Sequence, residues 1–152
     1  MLNQFDRAIL SILQQEGRIS NVELAERVNL SESACLRRVR VLEKSGLIKG
    51  YAAVLDQQKL GLPGNVFVNI TLEHSDLADL SAFEVAVQNM PEVMECYLMT
   101  GEYDYLLRLV VSNVDDFERI HRQHLTRLPG VARLNSSFTL RTVRKTSQLP
   151  ID

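Results

Sequence analysis

Basic side chains are concentrated in one short stretch of the chain, ESACLRRVRVLEKSGLIKG at residues 32–50. They belong to Arg37, Arg38, Arg40, Lys44 and Lys49. An arginine can donate two hydrogen bonds to one guanine edge, and both cation types can bind phosphate. Because the whole chain has a net charge of -2, this stretch is a basic segment on an acidic molecule. The chemistry it offers is nucleic-acid binding.

The spacing of these side chains separates a buried side from an outward side. On a helical wheel with about 100° between successive residues, three apolar side chains fall together, namely Cys35, Val39 and Leu42. The side chains that fall opposite them are Ser33, Arg37, Arg40 and Lys44, with Arg38 on the flank. Such a face fits a DNA major groove, but basic faces also occur on ordinary solvated helices. The wheel alone therefore leaves both interpretations open.

Two further predicted helices precede this one. Residues 3–16 have apolar side chains at helical spacing. Ser20 and Glu23 predict a capping box for a second helix, and Ser31 is the expected N-cap of the third, which Gly46 ends. Two short helices joined by a tight turn, the second of them basic, are typical of a helix-turn-helix, and this arrangement favours DNA as the partner.

The predicted DNA contacts follow from these positions. Side chains expected to contact DNA from the third helix are Ser33, Arg37, Arg38 and Arg40. Further expected contacts, mainly with phosphate, are Ser20, Asn21, Ser31, Lys44 and Lys49. Residues 47–55 (LIKGYAAVL) suit a strand, and Lys49 would lie on it as on a wing.

The run FDRAILSILQQEGRISNVELAERVNLSESACLRRVRVLEKSGLIKGYAAVLD at residues 5–56 resembles the DNA-binding domain of the Lrp/AsnC family, the leucine-responsive or feast/famine regulators. The resemblance continues through KLG at 59–61, TGEYDYLL at 100–107 and LPGV at 128–131. It implies a cytoplasmic bacterial or archaeal transcription regulator that binds operator DNA, senses a free amino acid, and assembles into homodimers and often octamers.

The pattern of the second half of the chain predicts a βαββαβ unit. The predicted strands cover 65–72, 93–99, 105–111 and 131–143, with an irregularity near 135–137, and the predicted helices cover 77–90 and 114–128. The expected fold class is α+β, with a winged-helix-like domain at 1–55, a hinge at 56–64 and a ferredoxin-like domain at 65–152. Helices would cover one sheet face, and the other face needs a partner, which favours a homodimer.

The sequence TGEYDY at 100–105 is the candidate ligand site. From spacing alone it is an ordinary hairpin turn with Gly101 at its tip. The family resemblance implies instead an amino-acid effector beside this loop, lined by Met99, Gly101, Tyr103, Asp104 and Leu106. It also implies contacts from a neighbouring subunit through Ser136, Ser137 and Thr139. Asp104 would accept the ammonium group, and the apolar lining favours leucine or methionine over asparagine or lysine.

Other chemistries have weaker support. Some proteins similar to this family are sirohaem decarboxylases, and His74, His121 and His124 keep that enzymatic alternative open. The full basic helix face argues against it, so we predict no enzyme and no cofactor besides the amino acid. The pair His121 and His124 lacks the Cys or carboxylate cluster that a metal site needs. Cys35 and Cys96 form no CxxC motif, and no apolar run is long enough to span a membrane.

Overall fold

The computed structural model describes residues 2–151. The chain forms two compact units. The first consists of the chain up to Val54 together with the segment from Arg144 onward, and the second is Leu55–Val143. The predicted second domain at 65–152 included the last nine residues. The structure groups them with the first unit, because Ile151 packs against its core and Leu149 hydrogen-bonds to Gln14. Within the described residues, no helix is long and apolar enough to cross a membrane.

Three helices build the first unit: α1 at Gln4–Gln15, α2 at Asn21–Arg27 and α3 at Glu32–Lys44. Each begins at a residue whose side-chain oxygen accepts a hydrogen bond from a first-turn amide, and these N-caps are Asn3, Ser20 and Ser31. The core they enclose includes Ile9, Leu24, Cys35 and Leu42. Sequence patterning predicted all three helices, because the capping signals and the apolar spacing indicate the same helical segments.

Two local predictions for this unit need correction. Only the Ser20 half of the predicted capping box forms, because the Glu23 carboxylate pairs with Arg27 at 2.7 Å. The predicted strand at 47–55 is wrong, since these residues form no strand. No neighbouring strand offers them backbone partners within this unit. Instead, the Ile48 amide donates to the Leu42 carbonyl, and the Tyr51 hydroxyl donates to Glu43 at 3.0 Å.

The second unit has the order β1, α4, β2, β3, α5, β4, with a short 3₁₀ turn at Leu125–Arg127 after α5. The strands are β1 at Gly64–Leu72, β2 at Val93–Leu98, β3 at Tyr105–Val111 and β4 at Val131–Phe138, and the helices are α4 at Leu77–Gln88 and α5 at Val114–Gln123. The sheet is antiparallel with strand order β2-β3-β1-β4. The predicted ferredoxin-like arrangement is confirmed.

The last strand differs from its prediction in two ways. β4 ends at Phe138 rather than at residue 143, because Phe138 pairs with Val66 near the start of β1 and little of β1 remains beyond it. The irregularity lies where the register shifts between Thr71 and Leu72, opposite 131–133, and not at 135–137. The predicted hinge at 56–64 contains a turn in which Asp56 accepts two backbone amides, and this turn belongs to the second unit.

The two faces of the sheet differ in burial. Alternate residues of β1 and β3 are fully buried against α4 and α5, among them Val66, Val68, Ile70, Leu107 and Leu109. The intervening residues point to the other face, which no helix of this unit covers. This open face includes Phe67, Asn69, Tyr97, Leu106 and Arg108. Of these, Tyr97 is 52% exposed.

Candidate nucleic-acid interface and ligand loop

The outward face of α3 presents the basic side chains as the wheel predicted. Ser33, Arg37, Arg40 and Lys44 are exposed and line one shallow depression. Leu36 and Val41 complete the lining. The face therefore combines guanidinium donors with apolar groups, which can contact the methyl group of thymine in a major groove.

Arg38 differs from its neighbours on α3. Its guanidinium donates to Asp6 Oδ1 at 3.0 Å and lies over the Phe5 ring, 5.4 Å from the ring centroid. The side chain is 28% exposed. The other oxygen of Asp6 accepts from the Asn3 amide in the capping box of α1. The structure thus places Arg38 between α3 and α1, where Asp6 and Phe5 hold its guanidinium.

The polar residues at the helix starts also make internal contacts. The Ser20 and Ser31 oxygens accept the Glu23 and Ala34 amides. The Asn21 side chain donates to the Glu32 carbonyl at 2.9 Å, which ties the start of α2 to the start of α3. These three side chains fix the turn between the two helices. Lys49 is exposed and lies beyond the end of α3.

The candidate ligand loop, residues 100–105, is closed by backbone hydrogen bonds. The Met99 amide donates to the Asp104 carbonyl at 2.8 Å, and the Asp104 amide donates to the Ile70 carbonyl at 2.9 Å. Gly101 has φ 114°, a conformation that side chains other than glycine rarely adopt. The loop is thereby anchored to the end of β1, with Gly101 at its exposed tip.

The Asp104 carboxylate already has partners in this chain. Oδ2 accepts the Leu72 amide at 2.7 Å, and Oδ1 is 3.4 Å from the Ser75 hydroxyl. The neighbouring Tyr105 hydroxyl donates to Glu84 Oε1 at 2.7 Å. Burial, followed by the Glu84 contact, raises the pKa of Tyr105, so the phenol stays protonated. Asp104 therefore positions the loop, and its carboxylate oxygens keep lone pairs that could accept further hydrogen bonds.

Sequence reasoning missed Arg133, which lies beside this loop. Its guanidinium carbon is 5.9 Å from the Tyr103 ring centroid, and Nη2 is 3.7 Å from Glu102 Oε1. The antiparallel pairing of Arg133 with Thr71 could have identified it once the strand register was known. The Thr71 Oγ1 atom is buried without a hydrogen-bond partner among the described residues. An unpaired buried hydroxyl costs free energy of folding.

The residues predicted on the last strand lie elsewhere in the same chain. Ser137 pairs with Phe67 and Ser136 with Val68, whereas the loop adjoins Ile70 and Leu72. The Thr139 hydroxyl donates to the Asn65 carbonyl at 3.2 Å. With roughly 3.3 Å per strand residue, Ser137 lies about 13 Å along the sheet from Arg133. A single chain does not bring Ser136, Ser137 or Thr139 to the loop.

The histidines make ordinary surface contacts. The His121 ring lies 5.9 Å from the Phe117 ring, and His124 is the C-cap of α5. His74 is exposed. Over residues 2–151, no group of three His, Cys, Asp or Glu side chains is placed to hold a metal ion.

An exposed basic recognition helix in one unit and a polar loop in a βαββαβ unit define a DNA-binding regulator with a separate ligand-binding domain. Residues 2–49 match the profile of a winged helix-turn-helix DNA-binding domain. Residues 65–149 match the Lrp/AsnC ligand binding domain. The chain belongs to the Lrp/AsnC family of transcriptional regulators, as the sequence resemblance predicted.

Individual relatives agree with the family assignment. The leucine-responsive regulatory protein of Escherichia coli K12 is 41% identical over 150 residues, covering 99% of this chain and 92% of that protein. An uncharacterised HTH-type regulator of Sinorhizobium fredii is 50% identical over 116 residues, covering 76% and 91%. A Neisseria meningitidis transcriptional regulator, solved in complex with L-methionine, superposes with a TM-score of 0.96 at 36% identity, covering 100% and 98%.

Proposed function

We propose that this regulator recognises operator DNA through the outward face of α3 and responds to an apolar amino acid, leucine or methionine. The observation that carries the DNA proposal is the exposed set Ser33, Arg37, Arg40 and Lys44 on one helix face. The effector proposal is supported by the leucine-responsive relative and by the relative bound to L-methionine. The cytoplasmic location of the protein stays a prediction.

Within the DNA surface, we assign different roles to the basic residues. Arg37 and Arg40 are exposed and free to donate to base edges, with Lys44 and Lys49 contacting phosphate. Arg38 orients α3 through Asp6 and Phe5 rather than contacting a base. Ser20, Asn21 and Ser31 hold the turn between α2 and α3, and their contacts with DNA stay predictions.

Selection from a pool of random DNA duplexes tests the DNA proposal. Two-fold related recognition helices should enrich a pseudo-palindromic site with half-sites about one helical turn apart or a multiple of it. The bound fraction should be sequenced after several rounds at physiological salt, where non-specific binding is weak. A bound pool with no enriched sequence would contradict the proposal.

For the ligand, the loop offers groups that match both ends of a free amino acid. Asp104 has lone pairs left for the ammonium group, while Arg133 can reach a carboxylate from beside Tyr103. Met99 is 43% exposed and, with Leu106, provides apolar contact for the side chain.

Because Asp104 also holds the loop, its two roles must be separated by substitution. Asp104→Asn keeps an oxygen for the Leu72 amide but removes the charge, so it should fold normally and lose leucine and methionine binding. Asp104→Ala should lose binding and also about 1–3 kcal/mol of unfolding free energy, the cost of an unsatisfied buried amide. Titration calorimetry and thermal unfolding of both variants make this test.

The matched control is Asp115→Asn, which removes a carboxylate charge at an exposed position of α5, away from the loop. It should bind leucine and methionine as the wild type does. If Asp104→Asn binds them with unchanged affinity, then Asp104 is not the ammonium partner.

The open sheet face supports assembly into a homodimer, and octamers of four such dimers stay a prediction. Covering Phe67 and Tyr97 removes apolar surface from water, which favours a second copy of the sheet. Phe67→Glu places a charge at the centre of this face and should lower the sedimentation coefficient toward that of a monomer. Leu77→Glu, on the exposed side of α4, is the control and should leave assembly unchanged. Monomeric wild-type protein would contradict the packing argument.

A further inference from the structure

The segment after β4 returns to the helix-turn-helix unit and is held there by one side chain. Gln14 Nε2 donates to the Leu149 carbonyl at 3.1 Å, and the Leu149 amide donates to Gln14 Oε1 at 2.6 Å. The carboxamide of Gln14 thus satisfies both backbone groups of one residue, as a neighbouring strand would. This contact depends on an extended backbone at Leu149 and not on its side chain, which is 72% exposed.

Beside Gln14 lies an apolar groove of about 410 Å³ on the same unit. Its walls come from α1, through Leu10 and Leu13, and from the segment after α3, through Ile48 and Tyr51. The segment 149–151 forms the remaining wall, so this volume is the space left beside that segment. The side chain of Ile151 packs against the hydrophobic core of this unit. Every other described member of that core cluster lies within residues 2–48. Ile151 is therefore the apolar anchor of the returning segment.

The sequence of the segment suits this contact. Pro150 has a fixed φ and restricts Leu149 to an extended conformation, so the segment LPI at 149–151 loses little entropy on binding. In contrast, residues 140–148 make no backbone–backbone hydrogen bond in the described structure, and they are exposed. The docked part is thus the three-residue motif 149–151, and residues 140–148 form the tether that connects it to β4.

We propose that the groove between α1 and residues 47–51 is a docking site for the motif Leu149–Ile151 of the same chain. The match to the ligand-binding-domain profile runs through the tether and ends at residue 149, the first residue of this motif. The structure makes the motif a part of the helix-turn-helix unit. Same-chain docking is favoured because the tether keeps the motif at a high effective concentration near the groove.

Hydrogen exchange of the full chain, read by mass spectrometry, tests the docking. Gln14→Ala removes the backbone clamp, and Ile151→Asp places a charge against the apolar groove. Each should speed exchange of the amides in 10–15, 47–51 and 148–151 several-fold, with β1 and β3 unchanged. The control Leu140→Asp changes an exposed side chain of the tether, outside the docked motif, and should leave these rates as in the wild type.

A mixture of the Gln14→Ala and Ile151→Asp chains separates same-chain docking from docking between copies. One chain has an intact motif and the other an intact groove. If the motif docks within its own chain, the mixture exchanges as the average of the two variants. Restored protection of 47–51 in the Ile151→Asp chain would show that a second copy supplies the motif. Unchanged exchange in both single variants would overturn the docking site itself.

Discussion

Replacing Arg37 and Arg40 together by alanine is expected to abolish recognition of operator DNA while leaving the protein folded. Both side chains are exposed on the outward face of α3, and neither contributes to the core. A base-contacting arginine is worth about 1–3 kcal/mol, so the double variant should lose at least roughly thirtyfold in affinity. Fluorescence anisotropy with the selected operator and a scrambled duplex measures this loss.

The control for this experiment removes the same charge elsewhere. Arg122 and Arg127 are exposed on the second unit, and Arg122→Ala/Arg127→Ala lowers the net charge equally. That variant should bind the operator nearly as the wild type does. Equal losses in the two double variants would show that net charge, and not the α3 face, governs binding.

Replacing Asp6 by asparagine is expected to weaken operator binding, although the change removes a negative charge from the DNA-binding unit. Simple electrostatics predicts tighter binding, because the variant repels phosphate less. The structure predicts the opposite sign, since Asp6 holds Arg38 at 3.0 Å and thereby fixes α3 against α1. Hydrogen bonds to charged groups are worth about 1.5–3 kcal/mol, and partial exposure reduces this value here. A loss of about fivefold in affinity follows.

A salt titration of Arg38→Gln distinguishes a positioning residue from a DNA contact. If Arg38 only orients α3, affinity falls while the slope of log K against log salt stays unchanged. If it binds phosphate, the slope becomes shallower by about 0.9. Asn3→Ala is the matched control for Asp6→Asn, because it removes the cap of α1 but keeps the ion pair. Tighter operator binding by Asp6→Asn would contradict the positioning role.

Local sequence signals predicted most of the first unit. The starts of α2 and α3 were predicted from their N-caps, Ser20 and Ser31. The outward face of α3 was predicted from the apolar spacing of Cys35 and Leu42. They could not predict the partner of Arg38, because Asp6 is 32 residues away in sequence and reaches it only through the packing of α1 on α3. The returning segment at 149–151 was missed for the same reason, since its contact with Gln14 spans 135 residues.

The ligand loop shows a second limit of sequence reasoning. The sequence identified Gly101 and Asp104, and the structure places both at the end of β1. It did not identify Arg133, because only the register of β4 against β1 brings that side chain to Tyr103. It also extended β4 to residue 143, since alternating side chains do not reveal where the pairing strand begins.

One chain should join DNA recognition by α3 to amino-acid binding at the loop containing Gly101 and Asp104. The decisive measurement is operator affinity with and without each of the twenty amino acids. Ligand binding and DNA binding are then linked, so the ligand must change the dissociation constant of the operator. We predict a shift with leucine or methionine in the wild type and no shift in Asp104→Asn. An operator dissociation constant that no amino acid changes would contradict the account.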